Sequence, residues 1–130
     1  MSLTLDLRKI ARQRKQSLRK VYQGTMFSMG ARVIEMSPVD EGTFRGNWFT
    51  GVGFEDYSTD LETNTITDSI NRLIAGVDGL NVTENFYFMN NLDYAKDLED
   101  GSSKQAPIGM VKVVINDFEQ IASQNIMKFR

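Results

Sequence analysis

From Thr4 to Met36 the apolar positions Leu7, Ala11, Leu18, Tyr22, Met26, Met29, Val33 and Met36 are separated by threes, fours and one seven. That is the period of one helix face, so a long helix is expected. Thr4 stands where an N-cap belongs, with Asp6 in the first turn. Ser37-Pro38 stops the helix, because proline disfavours helical geometry in the residue before it. Residues 37–48, SPVDEGTFRGNW, make a compact connector. Asp40 can cap a short turn starting at Glu41 there, and Gly42 and Gly46 permit sharp backbone paths. The alternation Trp48, Thr50, Val52, Phe54 predicts a strand with one bulky apolar face and Phe49, Gly51 and Gly53 on the other. Residues 55–65, EDYSTDLETNT, are acidic and without period. They are expected to form a mobile loop with an exposed tip, with room for one more short strand.

Asp68 reads as the cap of a helix built on Ile70, Leu73, Ile74 and Val77 and ended by Asp78-Gly79. The run Val82 to Met89, with Phe86, Tyr87 and Phe88, predicts a second strand buried on both faces. Asn90-Asn91 closes it, one or two acidic helical turns follow, residues 101–103 form a loop, and Pro107 starts the last helix. Val111, Val114, Ile115, Phe118, Ile121, Ala122, Ile126 and Phe129 keep a three-four spacing, which outweighs the local strand preference of the valines. The expected class is α+β: a small, mostly antiparallel sheet packed against long N-terminal and C-terminal helices, with one or two short helices.

A helix over residues 4–36 would run roughly 50 Å, whereas a domain of this size measures roughly 35 to 40 Å across. It must bend near Gly24 or Gly30, or overhang. The apolar face is thinnest from Arg12 to Gln16, so the N-terminal half is the part expected to project.

Charge sharpens this. Residues 1–20 carry Arg8, Lys9, Arg12, Arg14, Lys15, Arg19 and Lys20 against Asp6 alone, a balance of +6. Residues 21–130 carry eight basic and 16 acidic residues, a balance of −8, so the net −2 of the chain is a basic arm on an acidic body. The arm is either a solvated helix face or a surface for something acidic: nucleic acid, a protein partner, or the body of a neighbouring copy. A chain of 130 residues is expected to form one domain. No apolar run approaches the length of a membrane span and no leader pattern opens the chain, so neither secretion nor a membrane location is expected. The Asn81-Val82-Thr83 sequon then has no use.

With no Cys and no His, the usual zinc sites, a thiol nucleophile and an imidazole base are excluded. Carboxylate chemistry remains. Asp93, Asp97, Glu99 and Asp100 cluster, but a calcium loop read from Asp97 would need Gly and Glu where Ser102 and Ile108 stand. A solvated acidic helix end balanced by Lys96 and Lys104 is the better reading. Gly51-x-Gly53 has only two glycines of a phosphate loop and lies in a strand pattern. The seven Met residues mostly fall on the apolar faces of the terminal helices, as core filling or as an adaptable interface. No metal or cofactor is expected.

Two separated stretches carry a resemblance. Ser37-Pro38-Val39-Asp40-Glu41-Gly42, followed by Phe44-Arg45 and Asn47-Trp48, resembles the T-P-V-D-T-G-x-x-R-x-x-W motif of the tail-completion or neck proteins of long-tailed bacteriophages, which include the family of lambda minor tail protein Z. Asn90-Asn91-Leu92-Asp93-Tyr94-Ala95, Leu98-Glu99-Asp100-Gly101 and the run from Ser103 to Val111 are similar to that family's N-x-x-x-Y-A-x-x-L-E-x-G-x-S-x-Q-A-P-x-G-M-V. The motif positions are Pro38, Asp40, Gly42, Arg45 and Trp48 in the first, and Tyr94, Glu99, Gly101, Pro107 and Gly109 in the second. Ser37 and Glu41 replace common threonines, and the basic helix and acidic loop belong to neither motif.

The resemblance implies a non-enzymatic virion protein of the neck, made in the host bacterial cytoplasm, which joins a finished tail to the DNA-filled head. It implies a ring of identical subunits, hexameric in the virion, beside other neck, head-completion and tail-terminator proteins and in passing contact with DNA in the channel. The arm residues Arg8 to Lys20 and the loop residues Ser103, Lys104 and Gln105 are the expected contacts. The alternative is a small nucleic-acid-binding protein using the basic helix, although no aromatics interleave with it.

Overall fold

The three-four spacing produces one uninterrupted helix, α1 (Leu3–Met36). The computed structural model describes residues 3–39, 42–62 and 65–130, with the backbone alone for 3–7. The helix already contains Leu3, so Thr4 lies inside it and does not cap it; leucine and threonine together offer no barrier to helix there. Of the two ways to fit so long a helix, overhang is the one adopted, and every side chain from Arg8 to Gln16 is exposed. Gly24 and Gly30 are not hinges. A Cβ at Gly30 would lie 2.8 Å from Leu73 Cδ1, and one at Gly24 would meet Asn125 Oδ1. Both are sites of close helix packing, where a side chain would push the neighbouring helix away.

Strand β1 (Trp48–Val52) and strand β2 (Phe86–Asn90) form a two-stranded antiparallel sheet in which Trp48 faces Asn90 and Thr50 faces Phe88. Both strands are shorter than expected. Gly53, at φ +86°, turns the chain out of the sheet, so Phe54 leaves the strand and is exposed. Val82 lies in a turn before β2. The strand β2 is half-buried throughout rather than buried on both faces, because a two-stranded sheet leaves it as an edge. Among the described residues the acidic loop contains no strand.

Helix α2 (Ile66–Asp78) begins one turn earlier than expected. Thr65 is extended and its side chain accepts the Thr67 N–H at 3.1 Å, which makes it the cap and leaves Asp68 in the first turn. Leu73 packs on Gly30, while Leu80, just past the helix, accepts from Arg19 and Gln23, so α2 runs antiparallel to α1.

After β2 come α3 (Ala95–Glu99), α4 (Val111–Asn116) and α5 (Phe118–Lys128). The expected single C-terminal helix is broken at Asp117, whose N–H reaches back only three residues to Val114 O and whose carboxylate pairs with Arg32 at 2.6 Å. Pro107 does not start it. Pro107 sits in an exposed turn four residues earlier. The core is a cluster of Val33, Ile34, Phe44, Trp48, Leu73, Leu92, Ala106, Met110, Val114 and Ile121. It is centred on the C-terminal half of α1. Met110 fills it, and Met29 and Met36 pack on it, whereas Met127 is exposed. No helix among the described residues is long and apolar enough to cross a membrane.

Candidate functional site

The two motif segments meet, and their side chains act mostly on backbone. Ser37 Oγ donates to Val33 O at 2.8 Å and accepts from Trp48 Nε1 at 2.9 Å. Arg45 donates Nη2 to Glu35 O at 2.9 Å and to Ser37 O at 2.8 Å. It thus supplies the cation and the donors that the end of α1 lacks, since no basic residue lies in that helix's last turn. Gln105 pairs with the backbone of Val39 in both directions at 2.9 Å, and Asn90 Nδ2 donates to Phe44 O at 2.9 Å. Phe44 sits between the Trp48 ring (5.8 Å) and the Tyr94 ring (6.0 Å). A cleft of about 460 Å³ lies between the segments, lined by Pro38, Gly42, Phe44, Tyr94, Ser103 and Gln105 among others. Asp40, with its expected turn at Glu41, lies outside the described residues.

Glu99 shows why a carboxylate is useful at its position. Its Oε1 accepts the N–H of Met110 (3.0 Å) and Val111 (2.9 Å), and its Oε2 accepts that of Lys112 (3.1 Å). It caps α4 from 11 residues away. Burial by itself would raise the Glu99 carboxyl, but the three amides and the Lys112 charge outweigh it and hold it below the ordinary glutamate range. A folded pKa below the unfolded one means that the native state binds fewer protons across that window. Glu99 therefore stabilises the fold fully above the unfolded value of about 4.3 and loses that contribution as pH falls through the folded value. Glu99→Gln is expected to lower stability by about 1 to 2 kcal/mol at pH 7, with the gap from wild type closing toward pH 3. Urea midpoints at the two pH values measure it, and an equal gap at both would exclude the carboxylate's charge as the cause.

Gly101 (φ +95°) and Gly109 (φ +85°) frame the loop between α3 and α4. The expected contact residues in it divide. Gln105 is committed inward to Val39 and Ser103 Oγ accepts the Gln105 N–H at 3.1 Å, while Lys104 points to solvent. Nearby, Lys96 pairs with Asp100 at 2.9 Å in an exposed i,i+4 bridge. Among the described residues no three acidic side chains converge as an ion site requires. Gly51 is no phosphate cradle: a Cβ there would meet Phe54 O, so the chain folds back over it.

The structure sorts the basic arm by face. Arg8, Arg12, Lys15 and Arg19 follow at intervals of four, three and four, and so share one stripe, flanked by Lys9 and Lys20. All are exposed, though Arg19 Nε donates to Leu80 O at 3.1 Å. With Tyr22 Oη donating to Glu84 O at 2.6 Å and Gln23 Nε2 to Leu80 O at 3.1 Å, it clamps the root of the arm to the turn after α2. Burial, then the Glu84 charge, raises the Tyr22 phenol pKa, which keeps it a donor. Arg14 lies on the other face with Ile10, Ser17, Leu18 and Val21. There the arm and the end of α5 enclose a groove of about 580 Å³.

Three polar side chains whose bonding roles the sequence pattern does not show organise the rest. Asn47, fully buried, and Asn91 fasten the acidic loop at Asp56, Ser58 and Asp60, so this part of it is held by side chains outside the loop. Arg72 donates to Trp48 O at 3.0 Å and to Gly46 O, with its guanidinium 3.9 Å over the Phe49 ring. Comparison with family models, curated proteins and solved structures finds no match to this chain.

Proposed function

We propose that the chain is a structural subunit of the phage neck or tail-completion type, which assembles into a ring and joins a tail to a head. The carrying observation is the arm: α1 takes Arg8, Arg12 and Lys15 into solvent, clear of a body that is net acidic. Opposite charge on two separate surfaces of one molecule favours head-to-tail contact between copies and speeds their encounter. The motif residues support the reading in another way. Arg45, Glu99 and Gln105 fix backbone shape, which is what a subunit recognised by its surface needs.

Replacing Arg12, Arg14 and Lys15 by Glu takes the arm from seven basic and one acidic residue to four of each. In a phage lysate lacking the chain, wild-type protein is expected to convert separate full heads and tails into joined particles. The triple variant is expected to do so about 100-fold less well, with melting unchanged because the three side chains are exposed. Undiminished joining by the variant would sink the role of the arm. Steep salt-dependent binding of duplex DNA by wild-type chain, lost in the same variant, would replace it with the nucleic-acid reading.

A further inference from the structure

The loop between β1 and α2 presents apolar side chains that the fold leaves uncovered. Phe54, Tyr57 and Leu61 are 77%, 70% and 74% exposed, and with Met127 they are the four most exposed large hydrophobic side chains among the described residues. They alternate with Glu55, Asp56, Asp60 and Glu62, and no basic residue lies among them. Three large apolar side chains this exposed within eight residues of one loop offer apolar area to a partner. The backbone beneath them is held. Asn47 donates Nδ2 to Asp60 O and accepts the Asp60 N–H, both at 2.8 Å, while Asn91 Nδ2 donates to Asp56 O (2.9 Å) and Ser58 O (2.8 Å). A loop already fastened by side-chain amides loses little entropy on docking.

The complementary surface lies at the other end of the molecule. The groove between α1 and α5 is lined by Leu18, Val21, Ile126 and Phe129 together with the cations Arg14 and Arg130. The loop is tied to Asn47, near the point where Arg45 binds the C-terminal end of α1. Leu18 lies about 27 Å back along the helix from Met36. While its anchors hold, the loop cannot fill the groove of its own chain.

We infer that the acidic, aromatic loop 54–62 of one copy docks in the α1/α5 groove of the next. This rests on the ring-subunit reading and adds to it the two surfaces in contact. Phe54, Tyr57 and Leu61 supply apolar area to Leu18, Val21, Ile126 and Phe129, and the loop carboxylates face Arg14 and Arg130. The contact joins different surfaces on the two copies, so each added copy still offers a free loop or groove to the next and the same contact can repeat until a ring closes.

A charge swap tests it in solution. Sedimentation at rising concentration is expected to show association of the wild-type chain. Association should be at least about tenfold weaker in Arg14→Glu/Arg130→Glu and in Glu55→Lys/Glu62→Lys, and should recover when the two variants are mixed in equal amounts. Because the chain has no cysteine, Leu61→Cys mixed with Leu18→Cys should also form a disulfide-linked dimer in excess of either variant alone, even where association is weak. Failure of the mixture to recover, or of the cysteine pair to link, would overturn the loop-and-groove contact. The ring-subunit reading is judged separately by head–tail joining, so the two can fail independently.

Discussion

Trp48→Ala is expected to cost about 3 to 5 kcal/mol of folding stability and to lower the melting midpoint by about 10 to 20 °C. Trp48 is 4% exposed, lies stacked at 5.1 Å on Phe88, meets Phe44 edge-on at 5.8 Å, and donates its indole N–H to Ser37. Truncation leaves a cavity bordered by both strands and the end of α1, where Arg45 and Ser37 hold the backbone and limit collapse. Trp48→Phe keeps the stacking but loses the hydrogen bond and some volume, at roughly 2 kcal/mol. Ser37 still has Val33 O to donate to, so its hydroxyl is not orphaned. Chemical denaturation of the three proteins measures the series. A loss in Trp48→Ala no greater than in Trp48→Phe would show that the site collapses freely.

Gly101→Ala should destabilise by about 2 to 4 kcal/mol. Two effects add there: φ is +95°, a conformation that L-residues rarely adopt, and the new Cβ would meet the backbone carbonyl of Pro107. Backbone cannot step aside as a side-chain tip can. Gly53 separates the two effects, because it has nearly the same φ, +86°, with nothing within 4 Å of its would-be Cβ. Gly53→Ala should therefore lose only the conformational part, about 1 kcal/mol. Equal losses at the two positions would mean that Pro107 yields and that the loop after α3 is not tightly framed. Since Gln105 lies in that loop and Glu99 just before it, its displacement should also loosen the Val39 pairing and the cap on α4.

The helical and strand segments were legible because periodicity reports burial of one face. That signal held for α1 and for the middle of β1, and it misplaced what other forces decide. The last helix keeps its three-four spacing through Asp117, yet the chain breaks there, where a distant Arg32 binds the carboxylate. Thr65 rather than Asp68 caps α2, because two residues three apart can each cap and the path of the preceding loop selects one. The acidic loop read as mobile since it has no period; Asp56 and Asp60 accept the N–H two residues on, and the longer-range anchors come from Asn47 and Asn91, which are 13 and 35 residues from the atoms they hold.

The sequence by itself determined the α+β class, a basic arm on an acidic body, and the exclusion of thiol and imidazole chemistry. Those follow from composition and from period, which need no partner. Only the tertiary structure decided that the arm overhangs instead of bending, because Gly24 and Gly30 are taken up by contacts with Asn125 and Leu73. It also decided that the motif residues Arg45, Glu99 and Gln105 fasten backbone, and that an acidic loop and an apolar groove lie at opposite ends. These depend on partners outside the local period, from 8 residues away for Arg45 to 66 for Gln105, and such a partner leaves no mark on the residues around the side chain.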